Sequence, residues 1–216
     1  MFVSMRFLTL PNDGPAERDA AIKALRAAAP DLPGVRGSWI APIAPAPVIH
    51  AGNIVWRLTF ASETEALAAP ASGAWGRNIA PLLADMQVTA VNYRVTRASA
   101  RKSGPGIWRA LVFRTFPNAP AAFVAQLERE LLLFPKYIGT IRSWALSEIS
   151  ASEGPKDFTY VWEQEFDSVE GLTGEYMNHP LHWGVVDSYF DAELPQYIVD
   201  PFVIQAVAAI DGSIMD

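Results

Sequence analysis

The chain has 216 residues, 50% hydrophobic and 19% charged, enough to bury one large core or two small ones. A net charge of -6 with scattered basic residues excludes a nucleic-acid partner, and the absence of cysteine excludes disulfides, thiol nucleophiles and thiolate metal sites. Apolar runs are too short to span a membrane and the amino terminus lacks the pattern of a secretion signal, so a cytoplasmic protein with no membrane partner is expected.

In chain order, Phe2 to Leu10 alternates as a strand, and Pro15 to Ala29 reads as a helix with proline in its first turn. Arg36 to Ile43 and Asn53 to Phe60 are predicted strands. Between them runs the proline-rich stretch Ala41 to His50, a stiff loop that can overhang a cavity. A helical region over Ser62 to Asp85 and a strand over Gln87 to Arg97 complete this set. Ala98 to Gly106 is small, polar and glycine-rich, as a linker is. Ile107 to Phe116 is then an apolar strand, and a helix capped by Asn118 carries Phe123, Leu127 and Leu131 on one side. Phe134-Pro135 ends it. Strands follow at Ile138 to Ser147 and Phe158 to Phe166, then a short helix capped by Ser168, and a last strand from Tyr197 to Val207. In the Phe158 to Phe166 strand, Phe158 is expected to share a face with Tyr160, Trp162 and Phe166.

The two sets are copies. Shifted by 106 positions, Thr9-Leu10-Pro11-Asn12 falls on Thr115-Phe116-Pro117-Asn118, Arg36 on Arg142, Val55-Trp56 on Val161-Trp162 and Phe60 on Phe166. The predicted fold class is α+β: two tandem ferredoxin-like β-α-β-β-α-β domains, 1–100 and 101–216. Such a sheet covers one face with helices and leaves the other in need of a partner. Two copies in one chain can close on each other as a pseudo-dimeric barrel, with the protein a monomer or a homodimer of such units.

Chemistry concentrates in Glu175-Tyr176-Met177-Asn178-His179-Pro180-Leu181-His182-Trp183, which holds two of the three histidines. A phenol and an imidazole suit proton transfer. His179, before proline, suits a helix cap. His182 suits a base and Tyr176 a hydrogen-bond donor, the bland reading being two packed core side chains. His50 on the proline-rich loop, Trp183 beside the motif and Tyr137 at a cavity mouth are candidate binding residues. Arg57 and Glu163 are duplication mates in third strands. They read either as an ion pair across the pseudo-twofold axis, which is preferred, or as a pocket where Arg57 holds a carboxylate or phenolate. No phosphate loop, dinucleotide fingerprint or nucleophile elbow is present, and no metal cluster is suggested, so no cofactor is expected.

From Phe166-Asp167-Ser168 through Tyr176-x-x-His179-Pro180-x-His182 to Ile198-Val199-Asp200-Pro201, the second copy resembles the stress-responsive A/B barrel domain of the dimeric α+β barrel superfamily. Pro70 to Arg77 replaces the motif in the first copy, so activity is expected in one half only. The resemblance implies Tyr176 and His182 as an acid/base pair. It also implies a cofactor-independent lyase, a decarboxylase or cyclase, acting on a small phenolic or polyketide-like acid. Its alternatives are a non-catalytic, stress-associated small-molecule-binding protein, a haem protein or a cofactor-free oxygenase.

Overall fold

The computed structural model describes residues 1–45, 47–100 and 104–215. Its strands are β1 (Phe2–Thr9), β2 (Val35–Pro42), β3 (Ile54–Phe60), β4 (Gln87–Arg94), β5 (Arg97–Ala100), β6 (Gly106–Phe113), β7 (Ile141–Glu153), β8 (Tyr160–Phe166) and β9 (Ile204–Ile210). They form one antiparallel sheet in the order β2-β3-β1-β4-β7-β8-β6-β9, with β5 added beside β7. The first four and the last four repeat one neighbour order, which is the ferredoxin-like arrangement twice. Two seams join the halves. At one, β4 pairs with the far end of β7. At the other, the loop after β2 meets β9: Ala44 donates to the Val207 carbonyl, and Ile49 and Gln205 exchange backbone hydrogen bonds.

Inward-facing side chains of both halves make a single packed interior. Val3, Met5, Phe7, Val55 and Val91 meet Trp108, Ala110, Val112, Val161 and Ala206 there. The opposite faces lie under separate helix layers. In the first half these are α1 (Pro15–Ala28), α2 (Glu63–Ala68), α3 (Gly73–Asn78) and α4 (Ala80–Leu83), covering Phe2, Leu8, Trp56 and Leu58. In the second, α5 (Ala121–Leu131), α6 (Phe134–Tyr137), the π-helical segment Gly171–Tyr176 and α7 (Pro180–Trp183) cover Leu111, Phe113, Trp162 and Phe166. Among the described residues, no helix is long and apolar enough to cross a membrane.

Several sequence expectations need correction. The predicted linker begins as strand β5, because the long strand β7 offers a free edge from Ser143 to Leu146 that Arg97 to Ala100 can satisfy. Residues 101–103 of that linker, and Ala46 of the proline-rich loop, lie outside the described residues. Asn118 does not cap α5, which starts after Pro120. Phe134-Pro135 opens the one-turn helix α6. The helical region of the first half is broken into short pieces, Ser62 and Ser72 each capping one. The last strand starts only at Ile204, because residues 197–203 leave the sheet and bond to Tyr189 and Arg114. Phe158 joins the barrel interior, away from Tyr160, Trp162 and Phe166.

The single offset of 106 also fails in one place. Arg57 pairs with Met5, and Glu163 with Ala110, so the third strands correspond at 106 but the first strands at 105. A one-residue slip moves a strand's side chains to the other face. Arg109 therefore corresponds to Ser4, facing the helices, and not to Val3, facing the interior.

Candidate active site

The segment from Gly171 to Trp183 positions the site. Its wide π turn, a form enriched at functional positions, buries both Leu172 and Tyr176. Asn178 Nδ2 donates to the carbonyl of Gly174 at 2.7 Å, closing this turn. His179 then sits extended before Pro180, as proline demands of its predecessor, and its Nδ1 accepts from the Leu181 N–H at 3.2 Å. Capping is the role the sequence suggested for it. Pro180 opens α7, one turn that carries His182 back over Tyr176, with ring centroids 5.2 Å apart.

Tyr176 and His182 line one cavity of about 260 Å³, with Arg109, Leu111, Val186 and Asp187 among its walls. Tyr176 is buried, with its ring packed against Phe134 and Phe166. Its oxygen accepts a hydrogen bond from Arg109 Nη1 at 3.1 Å, and among the described residues its own proton goes to no acceptor. Burial raises the phenol's pKa; the Arg109 cation and the Trp162 and Gln164 N–H groups pull the other way, and burial prevails. Tyr176 is thus a neutral phenol at pH 7. His182 Nδ1 lies 3.5 Å from Asp187 Oδ2. The carboxylate favours the tautomer protonated at Nδ1, which leaves Nε2 as the basic nitrogen.

Other residues singled out in the sequence lie elsewhere. Arg57 and Glu163 form a buried ion pair in the barrel interior, Nε to Oε1 3.1 Å, so the preferred pairing is what forms and Arg57 does not reach the Tyr176 cavity. Tyr93 Oη (2.7 Å) and Trp108 Nε1 (3.1 Å) also donate to Glu163, and Arg57 Nη1 donates to the Ile214 carbonyl. Trp183 is 63% exposed, its indole N–H spent on the Asn178 carbonyl, and Tyr137 is 55% exposed. Neither lines the cavity, because α6 and α7 each have a single turn and turn these rings outward. His50 lies beside the rim. Its neighbour Ile49 is in the wall, but its own ring stacks on Phe202 at 4.3 Å with Nδ1 on the Val203 carbonyl. Arg109, Gln205 and Asp187 also line the cavity, and the sequence reading did not place them there. Arg109 had a signal: it is the only charge in an otherwise apolar strand, on the same face as Leu111 and Phe113.

A larger groove of about 540 Å³ near Phe116 and Val124 carries neither histidine nor tyrosine. Tyr176 and His182 lie in the smaller cavity.

Residues 107–202 match the family model described as Stress responsive A/B Barrel Domain. The match falls within the C-terminal half of the chain. No curated protein matches the chain. Among solved structures, an anthrone oxidase-like protein superposes with a TM-score of 0.72 at 10% identity, covering 98% of this chain and 92% of that one. A candidate monooxygenase from Lactobacillus acidophilus NCFM gives 0.55 at 10% identity, over 100% and 99%. A mutant chlorite dismutase from Candidatus Nitrospira defluvii gives 0.58 at 7% identity, over 96% and 90%. Likeness at such identities is likeness of fold. It extends over both halves, although the family model itself matches only the C-terminal one.

Proposed function

We propose that the protein is a cofactor-independent enzyme that binds a small phenolic or polyketide-like aromatic and moves protons on it, most simply as a decarboxylase or cyclase. The observation that supports this reading is the pairing of a neutral buried phenol with a carboxylate-backed imidazole on one mainly apolar cavity. His182 Nε2 takes a proton from a ring hydroxyl or an activated carbon. Electrons released into the ring ease loss or formation of a neighbouring bond, Tyr176 donates a hydrogen bond to the oxygen that gains charge, and the imidazolium returns the proton. About 150 Å³ accommodates a benzene ring, so about 260 Å³ suits one or two rings. At that size the cavity falls below the range of about 300–1,000 Å³ typical of drug-sized ligands, which supports a small aromatic over a haem at this site.

A second reading, a cofactor-free oxygenase, is favoured by the full-length likeness to an anthrone oxidase-like protein. The same proton removal would then deliver an electron-rich anion to molecular oxygen. Turnover of a panel of hydroxybenzoates and anthrone-type phenols, followed by product analysis and an oxygen electrode, separates the two. His182→Ala should lower kcat by about a hundredfold or more. An unchanged rate in that variant rejects the assignment, and saturable binding without any turnover identifies a binding protein instead.

A further inference from the structure

The inner wall of the cavity carries a charge that no described carboxylate pairs with. Arg109 is 2% exposed, and projects from the middle of β6 toward the helix layer. Nη1 donates to Gln164 Oε1 at 2.7 Å and to Tyr176 Oη at 3.1 Å, and Nη2 donates to Gln205 Oε1 at 2.6 Å. All three acceptors are neutral. Nε has no partner, and among the described residues no carboxylate lies within ion-pairing distance of this guanidinium. The other buried arginines are treated differently. Arg57 meets Glu163, and Arg142 has Glu165 at 3.9 Å and Asp167 at 3.5 Å. Arg6, at the helix-facing side of β1, stacks 4.5 Å from the Trp75 ring centroid, with Glu153 in the wall of the same cleft.

A buried cation without an anion is unfavourable. Two glutamine carbonyls and a phenol oxygen fix the orientation of the Arg109 guanidinium but do not cancel its charge. That is the arrangement of a preorganised receptor whose counterion arrives with the ligand. We propose that Arg109 seats an anionic oxygen of the substrate, so that the site takes small aromatic acids, either ring carboxylates or phenols and enols that ionise in the site. This rests on the cavity being a small-molecule site. An oxygen seated on Arg109 lies next to the Tyr176 hydroxyl, whose proton can complete its coordination. The attached ring then extends along Leu111, Leu131, Val186 and Phe190, with the His182 imidazole alongside. Negative charge generated by proton removal flows to an oxygen already held by a cation.

The test is a calorimetric titration of the intact protein with benzoate and its neutral isostere benzamide, together with a spectroscopic pH titration of bound 4-nitrophenol. Benzoate should bind about tenfold more tightly than benzamide, or the bound nitrophenol should ionise about one pH unit lower than it does free. The first result assigns a carboxylate to the seat and the second a phenolate. Arg109→Gln should abolish either effect, leaving benzoate no tighter than benzamide and the bound nitrophenol ionising as it does free. Equal affinity for benzoate and benzamide with no shift for nitrophenol overturns the anion seat while leaving the small-molecule reading intact. Failure of every probe to bind overturns both. If Arg109→Gln does not fold, the wild-type comparisons decide; a preference that persists in the folded variant removes Arg109 from the role.

Discussion

Replacement of Glu163 by glutamine tests whether the two halves are held together by charge as well as by apolar burial. The carboxylate is fully buried and accepts from Arg57 Nε at 3.1 Å, Tyr93 Oη at 2.7 Å and Trp108 Nε1 at 3.1 Å. Arg57 and Tyr93 come from the first half, Trp108 and Glu163 from the second. Glutamine keeps the shape but removes the charge and turns one oxygen into a donor facing donors. Breaking a buried pair by neutralising one partner costs about 3–5 kcal/mol, a large share of a total stability of about 5–15 kcal/mol. For a chain of this size, about 2–4 °C per kcal/mol gives a fall in Tm of about 6–20 °C. Urea denaturation of Arg57→Met, Glu163→Leu and the Arg57→Met/Glu163→Leu pair completes a double-mutant cycle, in which the pair should be far less damaged than the single variants imply. The exposed Asp13–Arg18 pair serves as a control, Asp13→Asn leaving the midpoint unchanged. A loss below about 1 kcal/mol for Glu163→Gln would refute the reasoning, since it would mean that the hub is solvated or redundant.

Other expectations follow from the same geometry. Tyr176→Phe keeps the ring packing but removes the donor, and should lower kcat about tenfold to a hundredfold with little change in Tm; equal loss of both would make it a packing residue. Asp187→Asn should reduce kcat about tenfold with little change in Tm, an unchanged kcat counting against its role behind His182. Burial raises the phenol pKa of Tyr93, Tyr176 and Tyr189, helped at Tyr93 by the Glu163 charge and at Tyr189 by Glu130. The stability these groups contribute is intact below their unfolded pKa of about 10 and is lost as pH rises through the higher folded values. Tyrosinate absorbance should therefore lag behind that of the unfolded chain; all six tyrosines ionising together near pH 10 would contradict this. Gly52 has φ +71°, and a Cβ there would stand 2.5 Å from the Leu8 carbonyl oxygen, so Gly52→Ala should destabilise by about 1–3 kcal/mol or more in urea denaturation.

Period-two alternation and the repeat carried most of the strand plan, because strands buried on both faces still have to place their turns and charges in equivalent positions. The Arg57–Glu163 pair was legible for that reason: duplication mates on third strands meet near the pseudo-twofold axis. The slip to an offset of 105 in the first strands was not legible, since β6 is apolar on both faces and offers no contrast to fix its register. That ambiguity also hid Arg109, whose meaning depends entirely on which face it occupies. In the motif, Tyr176 and His182 were readable from residue type and spacing. Trp183 and Tyr137 were not, because the outward turn of two single-turn helices is decided by packing, of α6 against β7 and of α7 against Val186–Tyr189. β5 was missed because pairing energy came from the partner's free edge and not from its own small residues.

Two separate chains related by a twofold axis must use identical contacts at both places where their sheets meet. Fusion in one polypeptide lifts that requirement, and here the contacts have diverged: a four-position ladder between β4 and β7 on one side, two short bonded points onto β9 on the other. The sparser junction includes Ile49 and Gln205, which also stand at the cavity. The continuous seam and the cavity are thereby assigned to different junctions, a division of labour that no symmetric assembly can make.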